Sequence, residues 1–302
     1  MAGMRLLAFE YACAGGEGGG PFLDQGLLML SHLLRHLSGL GLERITTMRS
    51  DSLGAVPLFA DKIVTVKDGL LKTFAKELRE HDAVWIIAPE CGGRLLELTR
   101  MAESLGVAVV GSSSAAVEVC GDKLLTCKAL EGVVPTPRTR PFNGVFDEFP
   151  CVVKPADGAG CSSTFYIEDE ARAVRFEAPP GEFVVQPYVE GAPMSAAIVS
   201  NRDEAALLGV SRQLIKTGPL LEFLGVEGPV EYAHKDKLTL MMNIIRKIIP
   251  GLNGYWGVDF IDGPAGPVLM EINPRPTSSY PLYGDAVPFQ LIFPNINASP
   301  TI

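Results

Sequence analysis

The sequence is poor in histidine, and its four histidines are far apart in the chain: His32, His36, His81 and His234. Two of them, His32 and His36, lie four residues apart on a predicted helix, but no third ligand accompanies them, so surface or packing roles are favoured. The pattern also offers no support for a Ser–His–Asp or Cys–His catalytic arrangement. Nucleophilic catalysis of that kind is therefore not expected.

Paired cysteines are missing as well. The sequence has no CxxC motif, and no histidine pairs with its six scattered cysteines: Cys13, Cys91, Cys120, Cys127, Cys151 and Cys161. A zinc site or a disulfide scaffold is therefore not expected. Reduced thiols in an intracellular protein are the simplest interpretation.

The chain lacks both an excess of basic residues and a long apolar run. It has 26 Lys and Arg against 35 Asp and Glu, a formal net charge of −9, which argues against broad nucleic-acid binding. No apolar run approaches the roughly 20 residues that cross a bilayer, and the N-terminal apolar run is too short for a secretory signal. We expect a cytoplasmic protein without a nucleic-acid or membrane partner.

What the chain does have is a regular alternation of strands and helices in its first third. The predicted strands are 4–12, 45–47, 62–66, 83–88 and 107–110, and the predicted helices are 23–37, 70–80 and 94–105. Such alternation is typical of a parallel, doubly wound α/β layer. The leucine-rich helix at 27–37 could pack in the core or between the subunits of a homodimer.

The rest of the chain is predicted to be richer in strands. One helix is predicted at 116–130, followed by strands at 149–154, 184–189, 195–200 and 205–215, and by a helix at 238–249. The whole chain, at 302 residues, has room for about two domains of ordinary size. A mixture of α/β and α+β structure is the predicted fold class.

Residues 254–275 predict two strands joined by a Gly-Pro turn. Alternation places Val258 and Phe260 on an apolar face with Val268, Met270 and Ile272, and places Asp259, Glu271 and Asn273 on the other face. With the register that puts Asp259 opposite Glu271, two carboxylates and an amide oxygen converge, a ligand set that suits Mg²⁺. A solvated sheet face with incidental acids is an equally good interpretation of these residues alone.

Two lysines are candidates for contacts with phosphate. Lys154 precedes a loop of Gly, Ala and Ser whose backbone N–H groups can approach an anion closely. The loop is not a Walker A motif, because no GxxxxGK[ST] is present. In isolation, a surface turn with a solvated Lys154 is the better interpretation, and Lys123 is equally well explained as an ordinary helix lysine.

These motifs in their fixed order resemble the ATP-grasp superfamily over nearly the whole chain. The resemblance implies an N-terminal doubly wound α/β domain at 1–115, a central lid domain at 116–190 and a C-terminal antiparallel-sheet domain with the metal site at 191–302. It implies that two lobes clamp ATP between antiparallel sheets. It also implies an ADP-forming ligase that joins a carboxylate to an amine through an acyl phosphate.

The resemblance implies a role for each matched residue. Lys123 and Lys154 contact the ATP phosphates, and residues 157–163 form a mobile glycine loop over them, with backbone contacts from Gly158, Gly160, Ser162 and Ser163. The linker Gln186, Pro187, Tyr188 and Val189 lines the adenine pocket. Metal ligands are Asp259, Glu271 and Asn273, holding Mg²⁺ or, alternatively, Mn²⁺, while Arg275 and Lys154 are the catalytic residues. The usual ribose acid falls at Pro193, so Glu190 is only a candidate for that contact.

A narrower resemblance concerns residues 6–12, Gly15, Gly16 and 110–113, which are similar to the archaeal tyramine–glutamate ligase group of methanofuran biosynthesis. It implies glutamate and tyramine, or a tyrosine-like amine, as substrates. Another ligase, such as a dipeptide ligase, and a non-catalytic ATP-binding protein are the alternatives. The Gly15–Gly20 run is explained equally well as a flexible connection between a strand and a helix or as a loop that faces the second substrate.

Several residues are candidates for binding those substrates. The polar candidates are Arg212, Glu10 and Glu90, which lie near predicted strand ends, and the aromatic candidates are Phe223, Tyr232 and Tyr280. Core packing is the more frequent role for such aromatic residues.

Overall fold

A computed structural model describes residues 3–17, 21–158 and 160–293 of the chain. Gly18, Gly19 and Gly20 of the predicted glycine run, Ala159 of the predicted loop and the last residues of the tail lie outside the described residues. The described part forms three β-sheets with helices packed against them.

The N-terminal sheet is parallel, with strand order β3-β2-β1-β4-β5. Its strands are β1 Arg5–Glu10, β2 Arg44–Ser50, β3 Lys62–Val66, β4 Ala83–Ile87 and β5 Ala108–Val109. Helix α1 (Pro21–Ser38) packs against Leu6 and Ala8 on one face. On the other face, α2 (Leu70–Leu78) and α3 (Arg94–Ser104) pack against Leu7 and Phe9. The predicted doubly wound layer is therefore confirmed.

The leucine-rich stretch of α1 faces the core of the chain. Leu30, Leu33, Leu34 and Leu37 have no solvent exposure and pack with the strands of the N-terminal sheet. Of the two interpretations that the sequence allowed, packing in the core accounts for these leucines.

The single helix predicted at 116–130 is wrong, because two helices occupy this segment. Helix α4 (Ser114–Cys120) ends at Gly121, and α5 (Lys123–Leu130) begins after Asp122. The Asp122 carboxylate accepts the N–H groups of Leu124 and Leu125 at 2.7 and 3.0 Å and so caps α5. This new start places Lys123 in the first turn of α5, where its N–H donates to the carbonyl of Ala156.

The central sheet is antiparallel, with order β6-β9-β7-β8. Its strands are β6 Arg140–Pro141, β7 Cys151–Pro155, β8 Phe165–Ile167 and β9 Phe183–Pro187, and the short helix α6 spans Glu170–Ala173. The sequence predicted β7 and β9 but not the two short strands at the edges. One face packs on a small core of Cys151, Val153, Ile167, Phe183 and Val185.

The C-terminal sheet is also antiparallel, with order β12-β11-β10-β13-β14. Its strands are β10 Ala192–Ser200, β11 Ala205–Lys216, β12 Glu222–Glu227, β13 Gly254–Gly263 and β14 Gly266–Asn273. Helix α7 (Lys235–Ile248) buries its apolar side against this sheet. Two short helices follow, α8 (Tyr280–Tyr283) and α9 (Phe289–Ile292). In the described residues no helix is both long and apolar enough to cross a membrane.

Candidate active site

A cavity of about 670 Å³ lies where the three sheets meet. Its walls contain most of the residues that the sequence predicted for the site: Lys123, Lys154, Gly158, Gly160, Ser162, Pro187, Tyr188, Val189, Asp259, Glu271, Asn273 and Arg275. They come from helix α5, from the central sheet with its loops, and from the β13–β14 hairpin, which are far apart in sequence. We call this hairpin, which carries Asp259, Glu271 and Asn273, the acidic hairpin. Because cavities of a few hundred Å³ with a few convergent polar groups are typical ligand sites, this is the candidate active site.

The acidic hairpin has the predicted pairing at its open end. Asp259 on β13 lies opposite Glu271 on β14, and Val258 lies opposite Ile272. A β-bulge then shifts the register, so that Phe260 lies opposite Leu269 and Met270 has no partner.

The predicted apolar face is therefore wrong at two positions. Leu269 is buried in the core with Val258 and Phe260, whereas Val268 is only half-buried and Met270 lines the cavity beside Glu271. A period of two cannot reveal a bulge, because the extra residue reverses the alternation beyond it.

The acids of the hairpin carry charge that the surrounding protein only partly compensates. Burial raises the pKa of Asp259 to about 6, and repulsion from Glu271 adds to that rise, while hydrogen bonds from Ser195, Asn273 and Gln213 oppose it. The Asn273 amide donates to Asp259 Oδ2 at 3.2 Å. Two neighbouring carboxylates of this kind gain stability when a cation binds between them.

The donor set fits a hard divalent cation. Asp259, Glu271 and Asn273 offer only oxygen, which Mg²⁺ and Mn²⁺ accept and which soft metals do not prefer. Within the described residues no three His, Cys, Asp or Glu side chains group together. A metal here would therefore use two carboxylates and an amide oxygen, and its remaining ligands would come from phosphate and water, as is usual for Mg²⁺.

The two predicted phosphate-binding lysines line the same cavity as the acids. Lys123 Nζ donates to the carbonyl of Gly158 at 2.6 Å and lies 3.4 Å from Glu271 Oε1. In the described part of the chain the Lys154 side chain makes no hydrogen bond, although it is only 8% exposed. Burial, together with the positive charge of Lys123, lowers its pKa to about 8. Both ammonium groups are thus held in a dry site, where an anion gains most from them.

The described residues of the predicted glycine loop, 157–158 and 160–163, lie beside the lysines and contact the turn that follows β4. Gly160, Cys161 and Ser163 all have positive φ angles, of 62°, 57° and 52°, so the backbone turns sharply here. The Asp157 carboxylate accepts the N–H of Gly92 at 2.8 Å. Gly158, Gly160 and Ser162 line the cavity, but Ser163 is exposed and is not part of its wall, contrary to the prediction.

The predicted adenine linker is placed only in part as expected. Pro187, Tyr188 and Val189 line the cavity. Gln186 is buried away from it and donates through Nε2 to Thr139 Oγ1 at 2.7 Å. Since the N–H of Tyr188 is already donated to Pro150, the backbone of Val189 is the better candidate to read a base edge.

The candidate ribose acid is not at the cavity. Glu190 is exposed and does not contribute to the cavity wall, whereas Pro193 does. A carboxylate contact with the ribose from Glu190 is therefore not supported by its position.

Arg275 lies just beyond the C-terminal end of β14 and is paired with Glu90. Arg275 Nη2 donates to Glu90 Oε2 at 2.7 Å, and Arg275 Nη1 donates to the carbonyl of Pro276 at 3.1 Å. Burial alone would lower the pKa of Arg275, but the Glu90 carboxylate outweighs it and raises the pKa above its ordinary value. The guanidinium is thus charged and fixed in the cavity wall.

The candidate substrate residues divide into two groups. Glu10 and Phe223 line the cavity, and Glu90 reaches it only through Arg275. Arg212 is exposed on the opposite side of β11 from Gln213, which lines the cavity. Tyr232 donates to Asp262 and Tyr280 lies in the core, so neither is a wall residue. The predictions for Arg212, Tyr232 and Tyr280 are therefore wrong.

Sequence reasoning missed Tyr11, Phe22, Met270 and Gln213, which also line the cavity. Tyr11 had a usable signal, because it follows β1 directly and ligands bind beyond the carboxyl ends of parallel strands. Gln213 and Met270 had none, since each depends on sheet pairing or on the bulge.

Comparison with known proteins agrees with this geometry. The family model described as an ATP-grasp domain matches residues 120–279, and the pre ATP-grasp 3 domain matches residues 43–117. The tyramine–L-glutamate ligase of Methanocaldococcus jannaschii is 31% identical over 286 residues, which cover 92% of this chain and 84% of that protein. Enzymes of the ATP-grasp family use ATP and a divalent metal ion.

Solved structures share the fold. An ATP-grasp superfamily protein from Archaeoglobus fulgidus superposes with a TM-score of 0.74 at 25% identity, covering 94% of this chain and 84% of the other. The L-amino acid ligase from Bacillus licheniformis superposes with a TM-score of 0.69 at 17% identity, covering 94% and 70%. The chain therefore belongs to the ATP-grasp family, as an ATP-dependent ligase that joins a carboxylate to an amine.

Proposed function

We propose that this chain uses ATP and Mg²⁺ to join a carboxyl group of glutamate to the amine of tyramine or of a tyrosine-like molecule. The observation that carries the proposal is the convergence of Lys123, Lys154, the acidic hairpin and Arg275 on one cavity. The choice of substrates rests on the similarity to the tyramine–L-glutamate ligase. A methanofuran-type cofactor pathway is the setting that this choice suggests.

The reaction needs ATP because a carboxylate oxygen is a poor leaving group. A carboxylate oxygen bonds to the γ-phosphorus while the bond to the ADP oxygen breaks. The amine nitrogen then bonds to the acyl carbon, phosphate leaves and the nitrogen loses a proton. Both steps crowd negative charge into the cavity, so fixed positive groups lower their barriers.

The side chains supply that charge at defined places. Lys123 and Lys154 bind phosphate oxygens, and Arg275 meets the transferring phosphoryl group. All three side chains line the cavity. Asp259, Glu271 and Asn273 would hold the divalent ion, which neutralises and orients the phosphates when bound. The short helix start at Lys123 and the strand at Lys154 hold these ammonium groups in place before the nucleotide arrives.

The loop at 157–163 has a protective role in this proposal. An acyl phosphate is lost if water reaches it, so the cavity has to close during the reaction. The Asp157 carboxylate accepts the N–H of Gly92, and a Cβ atom placed on Gly160 would lie 3.8 Å from the ring of Phe22 on α1. The loop therefore already contacts the N-terminal domain, across the cavity from its own strand.

The N-terminal side of the cavity is the proposed place for the amino-acid and amine substrates. Glu10 is 4% exposed and lines the cavity, and burial raises its pKa although its Oε2 accepts the Cys13 N–H at 2.6 Å. A substrate ammonium group would stabilise its charge further. Tyr11 and Phe22 offer apolar surface for an aromatic amine. Four further proposals rest on the sequence. They are the domain boundaries given above, a cytoplasmic location, Mn²⁺ as an alternative metal and a homodimer.

A panel of carboxylates and amines tests the proposal through ADP release and product mass. The expected result is ADP released in equal amount to an amide of glutamate and tyramine, with neither substrate sufficient alone. Product from pairs of amino acids, without tyramine, would instead indicate a dipeptide ligase. Binding of ATP without ADP release for any pair would leave a nucleotide-binding protein and refute the ligase.

A further inference from the structure

The Arg275–Glu90 pair joins two parts of the chain that are 185 residues apart. Glu90 lies just beyond the C-terminal end of β4, an inner strand of the parallel sheet, and Arg275 lies just beyond the C-terminal end of β14 in the C-terminal sheet. Both side chains are largely buried, with 3% exposure for Glu90 and 13% for Arg275. A bond of 2.7 Å between such groups is a strong, charge-assisted contact.

Glu90 itself does not face the cavity. Its second carboxylate oxygen, Oε1, is buried without a hydrogen-bond partner in the described residues, and Glu90 is not part of the cavity wall. Arg275 does line the cavity. A ligand would therefore meet Arg275 and not Glu90, so any effect of Glu90 on the reaction passes through the guanidinium.

The backbone around Glu90 is well fixed. The carbonyl of Glu90 accepts the N–H of Gly93, and the carbonyl of Pro89 accepts the N–H of Leu95. These bonds fix the turn that connects β4 to α3. Helix α4 ends beside this side chain, since a Cβ atom placed on Gly121 would lie 3.8 Å from the Cβ atom of Glu90. This support holds the carboxylate in one place.

The guanidinium in turn keeps donors for a ligand. Arginine has five N–H groups, and among the described residues Arg275 uses its two terminal nitrogens for one protein bond each, to Glu90 and to Pro276. The two bonds fix the plane of the group. A planar donor fixed in this way meets a phosphoryl group at a set distance and angle.

We propose that Glu90 is a positioning residue that sets the orientation of Arg275 toward the transferring phosphoryl group. The proposal rests on the proposed function, because it takes Arg275 to act in phosphoryl transfer. Through Glu90, the N-terminal sheet would then contribute to a reaction whose other residues come from the two antiparallel sheets. Closing the N-terminal domain on the cavity and aligning the arginine would then be one event.

Glu90→Gln is the main test, because the glutamine keeps an oxygen that accepts the Arg275 N–H but lacks the charge. Glu90→Ala removes the acceptor and leaves Arg275 buried without its partner, so its folding is checked by circular dichroism. A misplacement of about 1 Å costs on the order of 100-fold in rate, so we expect such a loss of kcat in Glu90→Ala. We expect Glu90→Gln to recover at least a tenth of the wild-type kcat, and KM for ATP to stay within about twofold in both variants.

The matched control is Glu118→Gln, which removes an exposed carboxylate that pairs with Arg100 at a similar distance of 2.8 Å. Unchanged kcat is expected for it. If Glu90→Ala folds and turns over at the wild-type rate, the positioning role is refuted. Equal losses in kcat and in nucleotide affinity would indicate a merely structural role and would also refute it.

Arginine side-chain NMR separates this proposal from the proposed function. With ¹⁵N-labelled arginine, the signal of the Arg275 Nη2–H group that donates to Glu90 should be sharp and slow to exchange in the wild type, and faster to exchange in Glu90→Ala. This readout needs no substrate, so it is valid even if the substrate panel gives no ADP. An Arg275 signal unaffected by Glu90→Ala would overturn the proposal, whereas a panel without turnover would refute only the ligase assignment.

Discussion

Two buried charge clusters lie at the open end of the acidic hairpin, and they differ in kind. Asp259 and Glu271 are like charges whose repulsion helps to raise the pKa of Asp259. Glu90 and Arg275 are opposite charges joined at 2.7 Å. The second cluster is balanced in charge, with one acid for one guanidinium. In the first, the nearest positive group among the described residues is Lys123, at 3.4 Å from Glu271, and Lys154 and Arg275 also attract Glu271. We propose that the first cluster receives a cation when the nucleotide binds, whereas the Glu90–Arg275 pair is part of the framework.

The largest expected effect follows from removing an acid of the first cluster. Glu271→Ala should lower the rate of ADP formation about 1,000-fold, because the phosphates lose a metal ligand where charge develops. The free energy of unfolding should stay within about 1 kcal/mol, since repulsion with Asp259 is relieved. Steady-state ADP release and thermal denaturation measure the two effects.

The control for this variant is Glu222→Ala, which removes an exposed acid of the same sheet that pairs with Lys216. It should change neither quantity. Normal turnover in Glu271→Ala would refute the metal role of the hairpin.

The Glu90–Arg275 pair should respond in the opposite way. Glu90→Ala is expected to lower the free energy of unfolding by about 3–5 kcal/mol, because the guanidinium loses its buried partner. Chemical denaturation measures this loss. A stability equal to that of Glu271→Ala would show that the two clusters do not differ as described.

Lys154 should matter for nucleotide binding more than for the fold. Lys154→Ala removes a buried ammonium group that would meet phosphate, so ATP affinity should fall by about 2 kcal/mol. Isothermal titration calorimetry measures the change, with the exposed helix residue Lys128 replaced by Ala as the control. Unchanged affinity in Lys154→Ala would count against its phosphate contact.

The lowered pKa of Lys154 predicts two pH dependences of opposite sign. ATP affinity should be constant below pH 8 and fall above it, because the ammonium group loses its proton near that value. Stability of the ligand-free protein should rise between about pH 8 and the ordinary lysine value of 10.5, since the unfolded chain binds more protons there. Calorimetric titrations and denaturation curves at several pH values test both, and Lys154→Ala should abolish both dependences.

The smallest expected effect concerns the glycine loop. Asp157→Ala removes the carboxylate that accepts the Gly92 N–H on an exposed surface, a contact worth about 1 kcal/mol. Faster hydrogen exchange at 157–163 is expected, with Asp157→Asn, which keeps an acceptor oxygen, as the control. Exchange rates that do not differ between the two variants would mean that this contact does not hold the loop.

Much of the fold could be predicted because local pattern and packing agree. The alternation of buried strands with amphipathic helices identified the parallel sheet. A period of two placed Asp259 and Glu271 on one face, and the register assumed for the hairpin paired them, as the structure does. Where the structure departs from prediction, the cause is either a single residue or a distant contact. The Asp122 cap divides the predicted helix, and the bulge after Asp259 sends Met270 to the cavity.

The tertiary contacts of the site could not be derived from the sequence in the same way. Glu90 was a candidate for substrate binding because it ends a strand, but its partner Arg275 lies at the far end of the chain. Arg212 was a candidate for the same reason, and it faces away from the cavity because the sheet pairing decides which side of β11 is inside. The position of Gln186 could not be predicted either, because its side chain donates a hydrogen bond to Thr139 instead of lining the cavity.

The central claim is that Lys123, Lys154 and the acidic hairpin surround one triphosphate. A crystal structure with Mg²⁺ and a non-hydrolysable ATP analogue tests it most directly. We predict the triphosphate within hydrogen-bond distance of Lys123 and Lys154, and the ion bound by Asp259, Glu271 or Asn273. A triphosphate bound outside this cavity, or an ion held by other residues, would contradict the account.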